Sequence, residues 1–343
     1  MPSAETLDAA VIGAGSWGTA IARLLARKGH RVILWTRDPK LAYEINSQHE
    51  NSRYLPGVSL PDQHFQASSR LVDIADRDAY FIAVPSFALR GVARQLKKTL
   101  GESAQQATWV SLTKGIEYDR ADQGLLTMSQ VLREELNSDR VFAMSGPSFA
   151  EEVARDYPTT VVLAGKSAHR AKRLQRVFMT ERFRVYISED RMGVELGGAI
   201  KNVIALAAGC SDGLGNGDNA KGALIARGLV EMTRLGIALG ARKETFFGLA
   251  GLGDLVITCM SKRSRNRAVG ERIGQGEALK EILVSMEMVA EGVYAVRAIH
   301  RFACERGIDL PITRAVYEVL YEGATPRKKL TELMTREPKR EEI

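Results

Sequence analysis

The chain has 343 residues, more than one hydrophobic core usually serves, and with 45% hydrophobic and 26% charged residues its composition is that of an ordinary globular protein in two domains. Its formal charge of +7 comes from cations scattered among acids with no nucleic-acid motif, which leaves an anionic small substrate and cofactor as the expected partners and no nucleic acid. Cys210, Cys259 and Cys304 have neither disulfide-type nor metal-type spacing, the start lacks a basic region before an apolar run, and no stretch reaches the uncharged length that spans a bilayer. A cytoplasmic protein with buried free thiols, no bound metal and no membrane span is therefore expected.

The first element is an apolar strand that runs into Gly13, Gly15 and Gly18 within AAVIGAGSWGTA (9–20), then into a helical pattern over Ile21 to Lys28. A second strand over Arg31 to Trp35 closes the unit. In that context the glycines read as a dinucleotide-binding turn. Gly13 permits the tight turn, Gly15 lets backbone approach a pyrophosphate, and Gly18 lets the helix pack closely on the strand. The tip of the second strand carries Trp35-Thr36-Arg37-Asp38, so the acid that usually takes the ribose 2′-hydroxyl is missing there. Arg37 suits a 2′-phosphate, which favours NADP(H), while Asp38 leaves NAD(H) open.

Strand-like runs recur at Ala79 to Val84, Thr108 to Leu112, Val141 to Met144, Thr160 to Ala164 and Phe183 to Ile187, with helical stretches between several of them. That alternation predicts an α/β Rossmann-type doubly wound parallel sheet over 1–190. From Arg191 the pattern turns to long helices, Met192 to Ala208, Lys221 to Leu239, Arg267 to Ile273, Val293 to Arg306 and Ile312 to Tyr321. The expectation is a second, all-helical domain over 191–330. Residues 331–343 read as a charged, disordered tail.

Within the helical half, Glu195 to Ala208 is small and apolar except for its first residue, one lysine and one asparagine. Burying the Lys201 charge demands a lowered pKa or a carboxylate partner, and either suits a lysine that exchanges a proton; the alternative is a side chain snorkelling from the helix edge. Asp254 follows a glycine-rich turn and fits either that partner role or a helix cap. Ser264, Arg265 and Asn266 stand where a helix begins, as an anion site or as a solvated basic turn. The five histidines, His30, His49, His64, His169 and His300, lie outside every motif and read as surface or packing residues.

Taken in order, GAGSWGTA, NSRYLPG (51–57), VPS (84–86), Lys114-Gly115, SGPSFA (145–150), GAIKN (198–202), RGL (227–229), GLAGLGDL (248–255) and Ser264-Arg265-Asn266 make the chain similar to NAD(P)-dependent glycerol-3-phosphate dehydrogenase of the bacterial type, over residues 8 to 325. The resemblance implies interconversion of sn-glycerol 3-phosphate and dihydroxyacetone phosphate, supplying phospholipid synthesis, by a homodimer. It also implies roles. Ser16, Trp17, Arg37, Tyr54, Lys114, Ala150, Val289 and Glu291 correspond to cofactor contacts, and Arg265 to a contact of both cofactor and substrate. Lys114, Gly146, Ser148, Asn202, Asp254, Ser264 and Asn266 correspond to substrate contacts, with Lys201 as proton acceptor.

Overall fold

The computed structural model describes residues 6–119, 124–338 and 340–341. It divides into two compact units, Met1–Lys114 with Met128–Arg191, and Gly115–Thr127 with Met192–Ile343.

The first unit is built on a sheet of eight strands: β1 (Asp8–Ile12), β2 (Arg31–Trp35), β3 (Phe65–Ser68), β4 (Ala79–Ile82), β5 (Thr108–Ser111), β6 (Val141–Ser145), β7 (Thr159–Ala164) and β8 (Phe183–Ser188). Their spatial order is β8-β7-β6-β5-β4-β1-β2-β3, and every ladder is parallel except β6 against β7. Central strands are buried on both faces, which is why β4 reads as an unbroken apolar run, whereas edge strand β8 alternates buried and exposed over its first four residues. β3 escapes a sequence reading because FQAS is short and half polar. The strand order reverses between β1 and β4, and in sheets of this kind ligands bind beyond the carboxyl ends of the strands at such a reversal. The glycine turn leaves β1 at that place and leads into α1 (Ser16–Arg27).

The second unit is helical, with α2 (Arg191–Gly213), α3 (Gly217–Ala238), α4 (Asp254–Met260), α5 (Arg265–Gly274), α6 (Glu291–Arg306), α7 (Pro311–Tyr321) and α8 (Pro326–Met334) as its main elements. It also takes a hairpin from the middle of the chain, Ile116–Asp119 paired antiparallel with Gly124–Thr127. Ile116 and Leu125 sink into the helical core, and the Tyr118 hydroxyl donates to Glu305 of α6 while Arg301 stacks 4.6 Å from its ring centroid. Packing of two four-residue strands on helices distant in sequence assigns the hairpin to this unit, so the division is not a single cut after residue 190.

By length and composition α2 could cross a membrane, yet 89% of its most apolar stretch is buried inside the protein, as in a core helix. Residues 331–334, expected in a disordered tail, form the last turn of α8, whose residues are all at least partly exposed. Positions 339 and 342–343 of that expected tail lie outside the described residues. Desolvation pushes the thiols of buried Cys259 and of Cys210, which is half-buried rather than buried as expected, up to about 12. Cys304, expected to be buried, is exposed on α6, because it falls on that helix's outer face.

Candidate active site

In the first unit the glycine turn is shaped by contacts that leave no space for side chains at two positions and open space at a third. Gly13 adopts φ +112°, and a Cβ there would lie 2.8 Å from the Ala83 carbonyl oxygen; a Cβ on Gly18 would lie 1.9 Å from the Gly13 carbonyl oxygen. Among the described residues nothing lies within 4 Å of a Cβ on Gly15, so that face of the turn is open to a ligand. Gly15 is also the N-cap of α1, with no side-chain cap and no acid in the first turn, which leaves the positive end of the helix for an anion. Beside it, the buried Trp17 Nε1 has no hydrogen-bond partner among the described residues, and Trp17, Tyr54 and Ala150 all pack against the sheet's core. An open glycine, an uncapped helix and an unpaired indole donor fit a dinucleotide.

Around this turn the remaining first-unit residues fall into two groups. Arg37 is exposed at the tip of β2. Asp38 is spent as a helix cap, its Oδ1 accepting from the amides of Lys40 at 3.0 Å and Leu41 at 3.5 Å. Lys114 Nζ donates to the Gly146 carbonyl at 3.0 Å and reaches Ser148 Oγ at 3.5 Å, while Ser148 Oγ donates to the same carbonyl at 2.9 Å. Three residues matched separately to the substrate thus share one hydrogen-bonded cluster.

The second unit holds most of the buried charges among the described residues. Lys201, near the middle of α2, is 6% exposed, and its Nζ lies 2.5 Å from Asp254 Oδ1. Of the two conditions that burial demands, the carboxylate partner is the one met. Thr258 Oγ1 accepts a second hydrogen bond from Lys201 Nζ at 2.8 Å and donates to the Asp254 carbonyl at 2.5 Å. Sequence reading passed over Thr258. Its only signal is the i, i+4 spacing from Asp254, which puts the two on one face of α4.

Local geometry explains the meeting. Gly197, one turn before Lys201, packs so tightly that a Cβ would lie 2.3 Å from the Ala250 carbonyl oxygen, and Ala250 belongs to a single π-helical turn, Leu249–Gly253, that delivers Asp254. A larger residue at 197 would push the carboxylate away from the lysine.

Beside this pair runs a ladder of amides. Asn266 Nδ2 donates to Asn202 Oδ1 at 2.9 Å, its Oδ1 accepts from the Gly292 amide at 2.9 Å, and Asn202 Nδ2 donates to the Gly198 carbonyl at 3.3 Å. Ser264 Oγ caps α5 by accepting from the Arg267 amide at 3.2 Å. Arg267 is buried and ion-paired to Asp212 at 2.8 Å, which in turn holds Lys221 at 2.7 Å, so the start of α5 is tied to the end of α2. Arg265 differs from all of these: it is exposed, and its Nη1 donates to the Val289 carbonyl at 2.7 Å. Glu291 is the first residue of α6. This half therefore offers a buried ammonium with its countercharge, a rigid amide ladder and one exposed guanidinium.

Comparison with known proteins agrees with both halves. Residues 8–171 match the family model for the N-terminus of NAD-dependent glycerol-3-phosphate dehydrogenase, and residues 190–331 the model for its C-terminus. The chain is 48% identical to glycerol-3-phosphate dehydrogenase [NAD(P)+] of Chlorobium limicola, over 97% of this chain and 98% of that one. It is 49% identical to the protein of the same name in Geobacter metallireducens, over 96% and 98%. The crystal structure of glycerol-3-phosphate dehydrogenase from Coxiella burnetii superposes with a TM-score of 0.90 at 38% identity, covering 96% of this chain and 99% of that one. A glycine turn shaped for a dinucleotide, a paired buried lysine and near full-length similarity lead to one conclusion: the chain belongs to the NAD-dependent glycerol-3-phosphate dehydrogenase family.

Proposed function

We propose a division of labour within the family's reaction, the interconversion of sn-glycerol 3-phosphate and dihydroxyacetone phosphate with NAD(H) or NADP(H), which in the reducing direction supplies glycerol 3-phosphate for phospholipid synthesis. The observation that carries it is the buried Lys201, Asp254 and Thr258 cluster. In the oxidising direction neutral Lys201 takes the proton of the C2 hydroxyl; in the reducing direction its ammonium gives a proton to the C2 oxygen and is recharged from solvent. When bound, the nicotinamide cofactor accepts or delivers the hydride at C2. Asp254 supplies the countercharge and Thr258 aims the Nζ lone pair or proton.

The first unit serves as the dinucleotide-binding domain, and the second, which includes the 115–127 segment, as the helical substrate domain. Gly13, Gly15 and Gly18 shape the pyrophosphate seat, Ser16 and Trp17 begin the helix that holds it, and Tyr54, Ala150, Val289 and Glu291 complete the cofactor contacts. Because Ser264 Oγ caps α5 and Asn266 is engaged with Asn202 and Gly292, charge recognition of the substrate phosphate falls mainly to Arg265. Lys114, Gly146 and Ser148 add substrate contacts, Lys114 touching cofactor as well. NADPH is preferred, since Arg37 is exposed at the strand tip and Asp38 is engaged as a cap. The protein works as a cytoplasmic homodimer.

The test is oxidation of NADPH and NADH by the purified chain with dihydroxyacetone phosphate, against unphosphorylated dihydroxyacetone. Rapid turnover only with the phosphorylated acceptor is expected. Equal rates with both acceptors would remove the phosphate clamp, and no turnover with either cofactor would leave a dinucleotide-binding protein without this activity.

A further inference from the structure

Asp38 poses an electrostatic problem for a site that takes a 2′-phosphate, because a carboxylate one residue past Arg37 repels the ligand that Arg37 would attract. The segment 51–54 answers it. Asn51 is fully buried, its Nδ2 donating to the Ala14 carbonyl at 2.9 Å and to Thr19 Oγ1 at 2.8 Å, while its Oδ1 accepts from the Tyr54 amide at 3.2 Å. Ala14 lies between the first two glycines of the turn, so Asn51 locks this segment to the pyrophosphate seat. Two residues on, Arg53 reaches back to Asp38, Nη1 to Oδ2 at 3.9 Å, with its guanidinium carbon 5.1 Å from the centroid of the Tyr54 ring.

We propose that Arg53 is a specificity-determining residue for the cofactor, offsetting Asp38 and standing with Arg37 as the second cation that selects a 2′-phosphate over a 2′-hydroxyl. The inference rests on the dinucleotide reading given above. Charge counting supports it: Arg37, Arg53 and Asp38 together leave one positive charge, and without Arg53 they leave none. The Arg53 pair is long and half exposed, its side chain 52% and that of Asp38 40% accessible, so it is weak enough to exchange. Asp38 keeps its two backbone donors when the guanidinium turns to a phosphate bearing about −1.5 to −2 charge. Stacking on Tyr54 and the Asn51 anchor hold Arg53 near the strand tip, which lowers the ordering cost of that exchange.

The experiment titrates NADPH and NADH, followed by nucleotide fluorescence, into the full chain without substrate, comparing wild type with Arg53→Gln and Arg53→Lys. Arg53→Gln is expected to raise the Kd for NADPH roughly tenfold and that for NADH by no more than about twofold. Arg53→Lys, which keeps the charge but not the fork, should fall between. Salt should weaken NADPH binding more steeply in wild type than in Arg53→Gln. Equal weakening of both nucleotides would overturn the proposal by reducing Arg53 to a packing partner of Tyr54, and so would unchanged binding of both. If wild type itself binds neither nucleotide, the dinucleotide reading fails first and takes this one with it; if wild type binds both and only the selectivity is unmoved, this one alone is lost.

Discussion

Among the described residues, the first unit buries hydroxyls, an amide, the His30 imidazole and one carboxylate, Asp190, whereas the second buries Glu195, Lys201, Glu231, Asp254 and Arg267. The difference follows from what each half binds with. In the first unit the glycine turn at the heart of the candidate site is made of backbone and absent side chains, so it is sensitive to added atoms. In the second the site is made of charges removed from water, so each must keep its partner and the site is sensitive to lost ones. Substitutions that add atoms in one unit or delete charges in the other test that contrast.

The largest effect is expected from Lys201→Ala, which should slow turnover by about two to four powers of ten, the usual loss for a general acid or base, with dinucleotide titration close to normal. Near wild-type rates across the pH range would make the lysine structural and pass the proton role to Lys114. Thr258→Val should cost less, roughly ten- to a hundredfold, with Thr258→Ser restoring most of it, since a hydrogen bond to a charged group contributes about 1.5 to 3 kcal/mol.

Next in size comes Arg265→Ala. A charge-assisted pair contributes about 1.5 to 3 kcal/mol, so the Michaelis constant for dihydroxyacetone phosphate should rise roughly ten- to a hundredfold. A rise confined to the nucleotides would assign Arg265 to the cofactor instead.

In the first unit, Gly18→Ala places a Cβ against backbone that cannot yield freely, 1.9 Å from the Gly13 carbonyl oxygen. Overpacking of this kind costs about 1 to 3 kcal/mol, and both dinucleotides should weaken together. Gly15→Ala should weaken them without lowering Tm, because its Cβ meets none of the described residues. A lowered Tm for Gly15→Ala with binding intact would blur the contrast between the units.

The smallest effect on the reaction, but a clear one on stability, belongs to Glu231. Its carboxyl accepts from the Ile312 and Thr313 amides and the Thr313 hydroxyl at the start of α7, and burial pushes it up to about 7 from 4.5. The folded state thus holds this proton more tightly than the unfolded one. Its contribution is full below about pH 4.5 and is lost as pH rises through about 7. Urea midpoints should fall between pH 5 and 8 in wild type, and Glu231→Gln should flatten that part of the profile. An unchanged slope would place the titration elsewhere.

Much of the fold was legible because it is local. Strand β2 spans Arg31–Trp35 as its apolar pattern indicates, and α6 ends at Arg306 just before Gly307, which adopts the left-handed conformation. What escaped was short or distant: β3, whose four residues carry too little pattern, and the 116–127 hairpin, whose apolar residues find their partners on helices far along the chain.

By itself the sequence determined that a dinucleotide turn follows the first strand, because glycine spacing acts through the local backbone, and that Lys201 needs a solution to burial, because an apolar helix cannot solvate a charge. Only the tertiary structure decided which solution. Asp254 and Thr258 lie 53 and 57 residues from the lysine, and Asn266 lies 64 from Asn202. Those meetings depend on how closely helix backbones approach, as at Gly197 against Ala250. The same reason separates Ser264, used as a helix cap, from the exposed Arg265 beside it: adjacent positions in the chain point to different surroundings once α5 is packed.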